Sequence, residues 1–339
     1  MFALASIIGP VAGGFMAQYT GWRSIFWINL PLSALAAMTA LHLKPASGTG
    51  SYKTDYKGTL LFVLGTLSLL LALSLGGHQL AWMSAQLLGL VTLSVVCFGL
   101  LWVVERSGSE TLLPPRLLAN RVVWRAALAV LLFASVLFGL IVQLPLFLQA
   151  ELGVSTAASG LLLIFLTVAQ VVVSTATGLR ISSTGKPRNA MLYGLAGVSV
   201  GFAALVAILR SGAIPIAIIT LLIGAGLGST MPAAQNMVQW AAGDRDLGEA
   251  TAALSFSRSI GGVLGAAITS AVLLAALHTG GQIASLTNST GGASALHASA
   301  ALSRGFLWMF STLGVLALMA TITTWSLPNI DLSKPQGQA

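Results

Sequence analysis

Eight carboxylates and four histidines are the side chains here that could pass a proton or hold a metal. Asp55, Glu105, Glu110, Glu151, Asp244, Asp246, Glu249 and Asp331 all fall between apolar runs or at their ends. None sits at membrane depth, where a carboxylate is costly enough to be functional by default. His42, His78, His278 and His297 are isolated, with no His-Glu-x-x-His pair to seat zinc and no Asp cluster to hold a Mg²⁺-diphosphate. Gly224-x-Gly226-x-Gly228 has a nucleotide-loop spacing, but it lies inside an apolar run with no strand before it and no acidic partner, so helix packing is the better reading. Cys97 is the single cysteine and permits no internal disulfide. These patterns argue against an enzyme and call for no metal or cofactor. One charge stands out: Arg258, in "SFSRSIGGVLG", lies within an apolar run. It either faces a wet cavity, where it meets an anion, a substrate or a carboxylate, or it snorkels to the headgroups.

The elements that position these residues follow from composition. Hydrophobic residues make up 56% of the 339 and charged residues 7%, with a mean hydropathy of +0.91. A soluble domain carries about a quarter charged residues, so the solvent of this chain is mostly lipid. Crossing ~30 Å of hydrocarbon takes about 20 apolar residues in a helix. Ten segments qualify: 2–18, 24–42, 58–76, 83–104, 124–148, 156–179, 189–209, 213–239, 250–277 and 305–327. Two linkers are long, 43–58 and the Gly/Ser/Thr-rich 279–304. Alternating strand patterns are absent, which predicts an all-α polytopic bundle in the lipid bilayer.

The net charge of +8 comes without a basic stripe or interleaved aromatics, so nucleic acid is not the expected partner. Membrane orientation explains it. Placing residue 1 at the cytoplasmic face leaves Arg23, Arg210 and Arg304 outside and Arg258 in a span, so twelve of the 16 basic residues lie inside. Both ends of the chain are then cytoplasmic, in a plasma (inner) membrane of bacterial style.

The first apolar run breaks the rules of a stable helix. Gly9 and Gly13 share a face, Gly14 follows, and Pro10 removes a hydrogen bond and kinks the span. By residue types alone this is a bent, tightly packed helix pair. Further along, Gly261 and Gly265 stand at i and i+4 as a helix-packing groove. Gln143, Gln170, Gln235, Asn236 and Gln239 could line a cavity or bond between helices.

Gly9-Pro10-x-x-Gly13-Gly14 followed by "GWRSIFWINLP" resembles the antiporter motif of the fifth helix of major facilitator superfamily transporters, most closely the fourteen-helix drug–proton antiporter branch. "LLPPRLLANRVVWR", "LPLFLQAELGVSTAASGLLL", "GLRISSTGKPRN" and "DRDLGEATAALSFSRSIGGVLGAAI" are similar to later segments of that branch, in order. The resemblance implies two helical bundles rocking about a central site, with protons driving efflux of a hydrophobic or cationic small molecule. It implies that residues 1–42 end the N-terminal bundle, that 43–123 hold two extra helices between cytoplasmic loops, that 124–327 form the C-terminal six-helix bundle, and that 328–339 are a cytoplasmic tail. It also implies that four N-terminal helices, carrying the coupling carboxylate, are missing, so that the chain is a fragment. A non-transporting scaffold or an inert remnant is the alternative. The sequence departs from the pattern in the loop resembling the second cytoplasmic motif. Ser182 and Ser183 replace its Asp-Arg pair, while Gly178, Gly185, Lys186 and Arg188 remain, so a tight basic turn survives and the charge relay does not.

Overall fold

The computed structural model describes residues 23, 27, 29–41, 56–76, 80, 83–107, 120–209, 211–243, 246–279 and 292–332. The motif residues Gly9, Pro10, Gly13 and Gly14, and the expected span 2–18, lie outside them. Among the described residues every regular element is a helix: α1 Asn29–Leu41, α2 Tyr56–Leu75, α3 Ala85–Ser107, α4 Arg121–Leu152, α5 Thr156–Thr184, α6 Pro187–Ala207, α7 Ala213–Gly228, α8 Thr230–Ala242, α9 Leu247–Thr279 and α10 Gly292–Trp325. The chain divides into two units, Met1–Thr54 and Asp55–Ala339. The first holds α1. The second holds α2 to α10, with eight stretches long and apolar enough to cross a membrane.

Turn chemistry sets the boundaries. Asn120 caps α4, its side chain accepting the Val122 amide at 2.9 Å, and Gly153 closes that helix in the left-handed conformation at φ 63°. Ser155 caps α5 by accepting from the Ala158 amide. Gly185, at φ 66°, ends α5 where a side chain would be strained, and Pro187 opens α6 where a missing N–H costs nothing. α7 and α8 form one span interrupted at Ser229. Pro232 has no N–H for the Gly228 carbonyl, which places the interruption one turn before the proline.

α4 is the hub. Of its most apolar window 67% is buried, against 17% for α5, and α5, α7, α8, α9 and α10 all contact it. Among the described residues the α4–α9 contact is the most extensive between two helices. Gly261 and Gly265 turn toward α4 so closely that a Cβ on either would collide with the carbonyl of Leu131 or Ser135. The Ser135 hydroxyl sits 2.9 Å from the Leu131 carbonyl on its own helix and 2.9 Å from the Gly261 carbonyl across the seam. α7 is notched on two sides. Gly224 and Gly228 meet the α5 backbone at Leu166 and Gln170, whereas Gly226, half a turn away, meets Gly194 of α6.

α2 and α3 pair as a hairpin, with Ser94 donating to the Gly65 carbonyl at 3.0 Å and Cys97 buried against Gly65. The pair docks on α9 through Phe256, whose ring lies 4.9 Å from Phe62 and 6.2 Å from Phe98. Elsewhere the outer surface is apolar: Leu179, Val200 and Ile214 are 69%, 70% and 77% exposed, as suits a lipid solvent.

Two expectations shift. The segment 279–304 is not all linker, because α10 begins at Gly292, and the Ala-rich "GASALHASAA" has the helix propensity to extend it. α9 starts at Leu247, three residues before the expected 250, so Arg258 lies about three turns inside it rather than two.

Candidate functional site

A cavity of about 630 Å³ opens between α2, α4 and α9, and Arg258 is on its wall. Helical spacing builds the α9 side: Ser255, Arg258, Ser259, Gly262, Ala266 and Ser270 recur every three or four residues on one face. Gly261 and Gly265 fall on the adjoining face, so the glycines that clamp α9 to α4 also aim the arginine into the opening. α4 contributes Phe138 and Val142, the Phe138 ring lying over Gly262, and α2 closes the far side with Leu73 and Ser74.

The chemistry of this wall is asymmetric. Arg258 is half-buried, and its guanidinium makes no hydrogen bond or ion pair among the described residues. Ser255 and Ser259 donate their hydroxyl protons to the carbonyls of Thr251 and Ser255 at 3.0 Å, leaving oxygen lone pairs toward the cavity. The space therefore offers up to five N–H donors from a permanent cation, a few acceptors and an apolar floor, with no carboxylate on the wall. It suits an amphipathic molecule whose polar end is neutral or negative.

Gln143 lies just behind the wall rather than on it. It is 2% exposed, and its side-chain amide donates to Thr269 and Ser270 at 3.3 and 3.2 Å, bridging α4 to α9. Gln170 is half-buried where the α5 backbone meets Gly228. Gln235, Asn236 and Gln239 are half-buried on α8, and Asn236 donates back to the Pro232 carbonyl at 2.8 Å. None of these four lines the Arg258 cavity. The serines that line it beside Arg258 were not singled out from the sequence. The signal available was "SFSRS", which puts serines one turn apart around the charge.

At one end of the bundle the basic turn is well defined. The Gly185 amide donates to the Ile181 carbonyl at 2.8 Å, and the Gly185 carbonyl accepts from Leu332 at 2.9 Å. Lys186 is exposed at the N-cap of α6 and provides no side-chain cap. Arg188 donates to the Trp325 carbonyl at 2.6 Å, and Arg125 of α4 donates to the Ser326 carbonyl. Two cations thus sit on the last carbonyls of α10, where the helix dipole is negative. Nothing lies within 4 Å of a Cβ built on Gly178, so that glycine makes no close approach. Arg121, Arg125, Arg180, Lys186 and Arg188 gather at this end, whereas Glu151 and Arg304 mark the opposite one.

A helical bundle with eight stretches long and apolar enough to cross a membrane, and an open amphipathic cavity among them, has the form of a polytopic membrane protein. The sequence model of the Major Facilitator Superfamily matches residues 1–266, and the chain belongs to that family. Among its relatives, a multidrug transporter of Bacillus subtilis, MdtP, is 32% identical over 80% of this chain and 51% of its own. The efflux pump bfoC of Aspergillus brasiliensis is 33% identical over 78% of this chain and 49% of its own. The chain thus spans about half the length of the curated relatives it matches. Among solved structures, a bacterial homolog of the human lysosomal transporter Spinster, inward-facing and occupied, superposes with a TM-score of 0.53 at 18% identity, covering 83% of this chain and 67% of that one. That likeness concerns the fold alone.

Proposed function

We propose that this membrane transporter acts in proton-coupled efflux of hydrophobic small molecules by alternating access, as a member of the fourteen-helix branch, and that the Arg258 cavity is where its C-terminal part meets the substrate. In this reading residues 124–327 are the C-terminal six-helix bundle, 58–76 and 83–104 are extra helices before it, and the basic end is cytoplasmic. The observation that carries the proposal is the cavity itself, apolar on the Phe138 and Val142 side and cationic at Arg258. Relatives named as multidrug and efflux transporters support the direction and the broad substrate class. The resemblance implies cationic substrates, but an arginine on a wall without carboxylates selects neutral or anionic ones at this site.

The test is dye binding by the purified chain in nanodiscs, with one neutral and one anionic lipophilic fluorophore. Arg258→Gln weakens the anionic dye about tenfold, the loss of a charge-assisted hydrogen bond, and spares the neutral one. Phe138→Ala weakens both. Equal binding by wild type and both variants overturns the assignment. Because all eight carboxylates fall at span ends or in linkers, we further infer that residues 1–339 alone do not couple transport to protons. Robust dye efflux driven by a pH gradient across proteoliposomes of this chain contradicts that inference.

A further inference from the structure

A second cavity, of about 440 Å³, lies at the basic end between α5, α6 and α7, on different helices from the Arg258 site. Its origin is in the glycine pattern of α7. Gly224 and Gly228 pull α7 onto α5 while Gly226 pulls it onto Gly194 of α6, so α7 enters behind two helices joined only by Gly185 and Lys186. α5 and α6 meet at that turn and part below it, with α7 as the floor of the wedge at Ala225 and Ser229.

Arg180, the last arginine of α5, and Lys186, at the start of α6, both line the wedge and are exposed. Neither charged group has a hydrogen-bond or ion-pair partner among the described residues, and no acidic residue lines the wedge. The other polar side chains on the lining are uncharged: Thr177, Thr184, Asn189, Tyr193 and Ser229. The Thr184 hydroxyl is already committed as a donor to the Arg180 carbonyl at 2.6 Å. The N-terminus of α6 points its positive dipole end to the same turn, and its N-cap Lys186 supplies no side-chain acceptor. Away from the turn the wedge becomes apolar. Val173 and Tyr193 form its sides, and Tyr193 and the neighbouring Leu179 are 72% and 69% exposed on the outer surface. Two unpartnered cations at a helix end, above an apolar cleft open to lipid, match a molecule with a phosphate at one end and hydrocarbon at the other.

We infer that the α5–α6 wedge binds an anionic phospholipid, its headgroup phosphate held between Arg180 and Lys186 and its acyl chains running along Val173 and Tyr193. The site stands on its own geometry and needs neither the transport reading nor the Arg258 cavity. A phosphate is the group these donors fit. An arginine fork takes two of its oxygens, a lysine takes a third, and the bond is charge-assisted at both ends.

The experiment titrates the full chain in detergent with phosphatidylglycerol, phosphatidylcholine or water-soluble glycerol phosphate and counts bound molecules by native mass spectrometry. Wild type is expected to retain one phosphatidylglycerol at concentrations where phosphatidylcholine does not remain bound. Arg180→Gln with Lys186→Gln lowers that affinity at least about tenfold. The control pair Lys57→Gln with Arg121→Gln removes the same charge at positions outside the wedge and leaves it unchanged. Circular dichroism of both double variants matches wild type, since all four residues are exposed. Three results overturn the inference: equal retention of phosphatidylcholine, equal loss in the control pair, or glycerol phosphate binding as tightly as the lipid. The last would assign the wedge to a soluble anion.

Discussion

The α4–α9 seam and the α5–α6 wedge are two helix contacts in the same bundle, and they are opposites. α4 and α9 are separated by nearly a hundred residues of chain, yet their backbones approach to the limit that Gly261 and Gly265 permit, with Ser135 and Gln143 bonding across. α5 and α6 are joined by two residues, yet they diverge and leave room for a ligand. Adjacency in sequence therefore says little about closeness in a membrane. Lipid is as apolar as leucine, so helices gain little by burying apolar faces against each other. Small residues and interhelical hydrogen bonds decide which pairs close.

Breaking the seam has the largest expected effect. Gly265→Leu drives a side chain into the Ser135 carbonyl, a backbone atom that cannot step aside, so the bundle fails to assemble. Size-exclusion of a fluorescent fusion in detergent shows an aggregated profile. Gly178→Leu on α5 is the matched control: nothing lies within 4 Å of its Cβ position, and the monodisperse peak is kept. Next comes the end of α10. Removing both cations with Arg125→Gln and Arg188→Gln exposes the Trp325 and Ser326 carbonyls at the negative end of the dipole. The cost is about 1–2 kcal/mol, read as a fall of several degrees in Tm by thermal-shift assay in detergent. Gln143→Leu is smaller. It deletes two interhelical hydrogen bonds, each worth about 0.6 kcal/mol in membrane proteins, and lowers Tm by a few degrees.

Much of this architecture was legible in the amino-acid order. Hydropathy alone outlined the α2–α3 hairpin and the six spans from α4 to α10, because lipid imposes a minimum length and an apolar composition on every helix that crosses it. Helix ends were less legible. The Ala-rich start of α10 is interrupted by Gly, Ser and His, which masks a helix that extends well before its apolar window. The glycine triplet of α7 is plain in the sequence, but its division between α5 and α6 is not, since which faces meet which neighbours is a tertiary fact. The same holds for Arg258. Its presence inside a span was evident, while the cavity beside it exists only because α2 returns to pack on α9. Polar residues in the spans were equally ambiguous. Gln143 turned out to be a bridge between helices, and no residue type distinguishes a bridge from a binding group before the partner is known.

The central claim is that α9 presents Arg258 to a solvent-accessible cavity used by transported molecules. The direct measurement places a cysteine one residue away, Ser259→Cys, in a chain whose buried Cys97 is replaced by alanine. Labelling by a small hydrophilic thiol reagent is then timed in membranes with and without a lipophilic anionic dye. The account predicts ready labelling of Ser259→Cys that slows in the presence of dye, with Lys57→Cys labelling at one rate throughout. Labelling at position 259 that ignores the dye, or never occurs, contradicts it.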